Sequence, residues 1–173
     1  MIVDEFGFLP DSKLLLPRGR KGLPPFTLDL SAVSTAEKRI PEMARATPLM
    51  LPDLITAYNI GILALARLIC VVELETKDAR RELEDSKALF IIDFADDILR
   101  QKNIKSSVDA REAASRLNPD VKAAQERYDF LSTMSEFLQS KRSAIEMAYH
   151  GAKKICDVFL RTPDNTNYGG SNG

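Results

Sequence analysis

The stretch NPDVKAAQERYDFLSTMSEFLQSKRSAIEMAYHGAKKICDVFL, residues 118–160, decides the fold. Ala124, Leu131, Leu138, Ile145, Ala152 and Phe159 recur every seventh residue. Met134, Ala148 and Ile155 form a second comb, which Lys141 interrupts. Two such combs draw an apolar stripe along one helix face for about five heptads. Asn118-Pro119-Asp120 is a start signal. Asn caps, proline fits the first helical position, and an acid faces the positive end of the helix dipole. The helix is predicted to end near Leu160, ahead of Pro163.

Upstream, the prolines divide the chain. Seven of nine precede residue 53, and none lies between Asp53 and Asn118. Proline costs about 3 kcal/mol inside a helix, so a long helix is confined to the second region. There Leu65, Val72 and Ala79 recur at spacing seven, with Ile69, Leu83 and Phe90 on the adjoining comb and Thr76 as its polar exception. Beyond Phe90 the apolar set shifts to Ile91, Phe94 and Ile98, so the helix is straight or changes partners. It is predicted to run from Leu54 to about Gln101. Asn103 to Ser107 reads as a connection, and Ser107 caps a short helix over Val108 to Leu117.

The first 30 residues read as an extended arm, in which Pro10, Pro17, Pro24 and Pro25 separate the clusters Phe6-Gly7-Phe8-Leu9, Leu14-Leu15-Leu16 and Phe26. Those clusters lack a helical period and suit pockets on a neighbour. Ser34-x-x-Glu37 has the form of a capping box, so a short helix is expected from Ser34 to just before Pro41. The predicted fold class is all-α, a long antiparallel helical hairpin with a short connecting helix, plus the extended N-terminal arm. Residues 1–52 form the arm with its short helix, 53–162 the hairpin and oligomerisation domain, and 163–173 a flexible polar tail.

A two-helix hairpin covers one face of each helix. The apolar run from Ile60 to Val72 exceeds what one partner covers, so a homo-oligomer is expected. Its interface is assigned to Ile62, Leu65, Ile69, Val72, Leu131, Leu138 and Ile145. The run is too short for a membrane span and contains Arg67, and Met1–Glu5 lacks the basic start of a signal peptide. A cytoplasmic, membrane-free protein is expected. Cys70 and Cys156 sit among apolar residues and read as buried free thiols of a reducing compartment.

No catalytic constellation is present, so the chain reads as a non-enzyme without cofactor or metal. The single histidine, His150, follows Glu146 at a spacing unlike the paired Glu-x-x-His of di-iron bundles and reads as a surface residue. Asp93, Asp96 and Asp97 share a helix face but supply too few ligands for a tight cation site. No phosphate-binding glycine loop occurs.

Charge is more informative. The net charge is −1. From Glu73 to Asp97 nine acids oppose four bases, whereas from Ile98 to Arg161 twelve bases oppose eight acids. Cations repeated around an oligomer would make a track for phosphates. The residues assigned to nucleic acid are Lys87, Arg100, Lys102, Lys105, Lys141 and Arg142; Arg18-Gly19-Arg20-Lys21 adds a basic cluster in the arm. The opposing reading makes these cations solvated faces or partners of the acidic helix.

Over about residues 60–157 the arrangement resembles the UvsY-type recombination mediators of tailed bacteriophages. The resemblance is carried by Glu84-Asp85-Ser86-Lys87-Ala88-Leu89, Lys105-Ser106, Asp109-Ala110-Arg111-Glu112, Leu117-Asn118-Pro119-Asp120, Tyr128-Asp129-Phe130-Leu131 and Ile145-Glu146, in that order. It implies a helical homo-oligomer that binds single-stranded DNA and helps load a recombinase onto strands covered by a single-strand-binding protein, without hydrolysing nucleotide. It places the protein in the host cytoplasm. Lys87 and Ala88 match the family's Lys-Ala-Arg setting, but Leu89 stands where arginine is expected, with Arg80 and Arg81 nearby. The alternative is a virion structural or DNA-packaging component, a small-terminase-like ring or head or tail adaptor, which accounts better for the arm and the glycine-rich tail.

Overall fold

A computed structural model describes residues 13–16 and 26–161, with side chains from 27 onward. The described chain is mostly helical, as the fold class requires. The cluster at 18–21, the cluster at 6–9 and the tail from 163 lie outside the described residues.

Strand β1 (Lys13–Leu16) pairs with β2 (Phe26–Asp29) in a two-stranded sheet. Helix α1 (Ser31–Lys38) follows at once, then a 3-10 helix (Ile40–Arg45) with Pro41 in its first turn. Two helices of 43 residues each, α2 (Leu51–Asp93) and α5 (Pro119–Arg161), flank the short α3 (Ala95–Gln101) and α4 (Val108–Ser115). The chain divides into two units. Among the described residues the first holds 13–14, 27–67 and 139–161, and the second 15–16, 26 and 68–138.

In the first unit, α1 is built into the core. Leu28, Leu30, Val33 and Ala36 are buried together with Leu51, Leu54, Tyr58 and Leu65 of α2 and Ile145 and Ala152 of α5. Each of the leucine, valine and isoleucine side chains contributes about 1.5–3 kcal/mol when removed from water. The Tyr58 hydroxyl donates to the Arg39 carbonyl at 2.8 Å and so anchors the turn after α1. The close approach of α1 to α2 is possible because position 61 is glycine. A Cβ there would lie 2.5 Å from the Ala36 Cβ.

The expected start at Ser34 is corrected. Helix α1 begins three residues earlier, where the Asp29 carboxylate accepts from the Ser31 N–H at 3.0 Å. The Ser34 Oγ is buried and has no hydrogen-bond partner among the described residues, so it caps nothing. Glu37 closes no box either; it pairs with Lys141. A capping box is a local pattern, and here a partner distant in sequence takes its acid.

In the second unit, Leu83, Phe90, Ala95, Leu99, Ala114, Val121 and Ala124 form one buried cluster, with Ile91, Ile98, Ala110 and Tyr128 packed against it. The helix expected to run unbroken to Gln101 is interrupted at Phe94 (φ −130°, ψ −25°). The Phe94 N–H still reaches the Phe90 carbonyl at 3.0 Å, and the Ile98 N–H reaches the Phe94 carbonyl at 3.2 Å. The break lies where the apolar comb shifts. It re-aims α3 so that Ala95 and Leu99 enter the cluster that Leu83 and Phe90 begin. Helix α3 closes in a Schellman motif: the Asn103 N–H donates to the Arg100 carbonyl at 3.1 Å, and the Ile104 N–H to the Leu99 carbonyl at 2.9 Å. Asn103 has φ 54°, a left-handed value that asparagine tolerates better than most residues.

Both later start signals appear as read. The Ser107 Oγ accepts from the Ala110 N–H at 3.2 Å. The Asn118 Oδ1 accepts from the Asp120 and Val121 N–H groups at 2.9 and 3.2 Å.

Replacing Gly61 with alanine should destabilise the protein. Alanine is the better helix former by about 1 kcal/mol, but forcing the helices apart costs about 1–3 kcal/mol. Chemical denaturation of Gly61→Ala is expected to show a lower midpoint; an unchanged or higher midpoint would mean that α1 yields freely.

Candidate nucleic-acid interface

Five of the six cations assigned to nucleic acid fall into two groups, and Lys87 stands apart from both. Lys141 is directed inward. Its ammonium pairs with the Glu37 carboxylate of α1, whose side chain is only 6% exposed. This explains the break in the α5 comb: a lysine stands at a core position because an acid waits there. Arg142 donates through Nε to Glu146 at 2.8 Å, within its own helix. These two residues are occupied by partners on the protein itself.

Arg127 is a further cation on the same comb, seven residues before Met134. Its side chain is 13% exposed and bridges Glu75 at 3.0 Å and Glu82 at 2.8 Å, which joins α5 to α2 within the second unit. Its Nε is buried without a hydrogen-bond partner among the described residues. Arg80 and Arg81 pair locally with Glu84 at 2.9 Å and Asp78 at 3.7 Å.

Arg100, Lys102 and Lys105 form the other group. All three are exposed, and none makes an ion pair within 4 Å of another described residue, although the Arg100 charge helps to lower the Asp96 carboxyl one turn before it. They lie on the last turn of α3 and the connection behind it. From Ile98 to Ser107 the chain carries these three bases and no acid. Cations at a helix C-terminus also complement its dipole, which favours Arg100 and Lys102 where they stand. Arg116, just after α4, is likewise exposed and makes no ion pair among the described residues. Charge clustering along the sequence missed it because it stands alone there. Lys87 is half-buried on α2 beside Glu84 and Asp85 in sequence.

What holds this connection is a clasp of three side chains. Arg111 of α4 grips the Asp96 carboxylate of α3 with two bonds, Nε to Oδ1 at 2.9 Å and Nη2 to Oδ2 at 3.1 Å. The Ser106 Oγ donates to Asp96 Oδ1 at 2.7 Å and accepts from Arg111 Nε at 3.0 Å. The clasp fixes the loop next to Lys105 and engages an acid of α3. The Ser106 hydrogen bond, with Arg111 behind it, holds the Asp96 carboxyl below its ordinary value. Asp93, Asp96 and Asp97 do not converge on a cation site, and among the described residues no three metal-ligating side chains do.

The residues assigned to the oligomer interface have these places in the single chain. Leu65, Ile69, Val72, Leu131, Leu138 and Ile145 are buried within the single chain, and only Ile62 is half-exposed. Periodicity marks a covered face but does not say which chain covers it. The apolar side chains left exposed on α2 are others: Ile60 and Leu63 in the first unit, Leu74, Leu89 and Ile92 in the second. By length and composition α2 is the one described helix apolar enough to cross a membrane; its most apolar window, of 18 residues, is 33% buried. The apolar run is therefore longer than the 60–72 segment alone suggests. The cysteines are corrected: Cys70 is exposed and Cys156 half-buried, both as free thiols. His150 lies on the surface as expected, edge-on to the Tyr149 ring at 5.4 Å.

Because the folded pKa of Asp96 is depressed, its contribution to stability is present above the ordinary carboxylate value and is lost as pH falls through the folded value. Ser106→Ala removes the largest cause of that depression. Carboxyl chemical-shift titration of the variant should place the Asp96 pKa higher than in the parent protein; an unmoved titration would show that the clasp does not form in solution.

No family model, curated protein or solved structure matches this chain.

Proposed function

We propose that the protein is a self-associating, non-enzymatic accessory of the recombination-mediator type, which holds single-stranded DNA through its phosphates and assists a recombinase at strands coated by a single-strand-binding protein. The observation that carries this reading is the connection from Ile98 to Ser107. There Arg100, Lys102 and Lys105 are exposed and make no ion pair among the described residues, while Asp96 is engaged by Arg111. An acid-free loop bearing cations suits phosphate contact and carries no means of reading bases. Arg116 joins this set. Lys141 and Arg142 leave it, because their charges are spent on Glu37 and Glu146. Self-association covers the exposed apolar side chains of α2 and repeats the basic loop, and repetition converts weak phosphate contacts into avidity.

A second reading, a virion structural or DNA-packaging component, is favoured by the loss of Lys141 and Arg142 from the cationic set and by the exposed apolar residues of α2. The two readings part on nucleic acid.

In the mediator reading, fluorescence anisotropy should detect sequence-tolerant binding of a labelled single-stranded oligonucleotide at low salt. Charge reversal of Lys102 and Lys105 together should weaken it and flatten the dependence of log K on log salt by roughly 0.7 for each phosphate that the loop no longer neutralises. Arg142→Glu should leave that slope unchanged. No binding at low salt by the folded protein would remove the mediator reading and leave the structural one.

A further inference from the structure

The second unit contains an open apolar cleft of about 450 Å³ next to the basic connection. Its walls come from Phe90, Ile98, Leu99, Ile104, Ala113 and Leu117. The polar side chains on it are Lys102 and Asn118. Asn118 is engaged by the first turn of α5, which leaves the Lys102 ammonium as the charged group available to a ligand. Ile104 and Leu117 are 49% and 75% exposed at the cleft, an apolar surface that water covers poorly. The volume suits a few large side chains. The fitting ligand is an extended apolar segment with negative charge at its edge.

The chain itself carries one. Three of its stretches lie outside the described residues. Residues 17–25 are basic and would be repelled by Lys102, and residues 162–173 are polar. Residues 4–11, Asp4-Glu5-Phe6-Gly7-Phe8-Leu9-Pro10-Asp11, have two phenylalanines and a leucine between acids and no base.

We propose that the cleft between α3 and α4 is the docking site for residues 4–11 of a second copy of this chain. Phe6, Phe8 and Leu9 fill the apolar walls, and the flanking acids meet Lys102, the one cation of the loop that lines the cleft; a docked arm withdraws Lys102 from the phosphate-binding set and leaves Arg100 and Lys105 to it. The exchange is reciprocal, each copy giving an arm and receiving one, which is the way closed assemblies of identical chains are built. The inference rests on the self-association proposed above.

The test uses the full chain with a photoreactive phenylalanine analogue at position 8, prepared in isotopically heavy and light forms and mixed before irradiation. The expected result is heavy–light crosslinks from position 8 to peptides spanning 98–119. Leu117→Asp, at an exposed position that leaves the fold intact by circular dichroism, should abolish them, and Lys102→Glu should remove most of the yield. Crosslinks to other regions, or within single chains only, would overturn the proposal. Light scattering on the same mixture separates the two ideas. An oligomer lacking these crosslinks overturns arm docking alone, whereas a monomer at every concentration overturns self-association as well.

Discussion

Two cations occupy core positions on a single comb of α5, and the acids that meet them constrain everything packed around that helix. Arg127 and Lys141 stand where the period calls for apolar side chains. An unpaired charge in such a place costs several kcal/mol, so each position is tolerable only if a carboxylate arrives from another element. Glu75 and Glu82 of α2 arrive for Arg127, and Glu37 of α1 arrives for Lys141. Apolar stripes alone permit sliding by a heptad. Charges fixed at single positions do not, so the pairs select one register from several that the combs would accept.

The same pairing decides which cations remain exposed. A count of bases along the sequence treats Lys141 and Lys105 alike. In the folded chain the first is sequestered by a buried acid and the second is exposed on a loop without acids. The clasp of Asp96, Ser106 and Arg111 sharpens this division, because it engages an acid of α3 with a cation of α4 and leaves Arg100, Lys102 and Lys105 exposed to solvent. The functional reading is therefore narrower than the sequence proposes, and it is centred on one connection.

The elements that local rules specify were legible. Ser107 and Asn118 cap helices with their own side chains, Pro119 fits a first helical position, and the combs mark residues that are buried, Leu131, Leu138 and Ile145 among them. What required the third dimension was not. The partner of Lys141 lies 104 residues away, and no window of sequence joins Glu37 to it. Ser34 and Glu37 imitate a capping box, but one is buried and the other is paired elsewhere, so α1 starts three residues before that pattern suggests. The break at Phe94 appeared in the sequence only as a drift of the apolar set. Periodicity marks a buried face without telling which chain covers it, and Leu131, Leu138 and Ile145 are buried within the single chain.

Buried charge pairing fixes how α5 is held. A double-mutant cycle on Glu37→Ala and Lys141→Ala, read by chemical denaturation of the full chain, tests it most directly. Each single change leaves a charge without its partner, so the two should be strongly non-additive, with a coupling on the order of 1–3 kcal/mol. Effects that add to within about 0.5 kcal/mol would contradict the claim and show the pair to be incidental to the packing of α1 on α5.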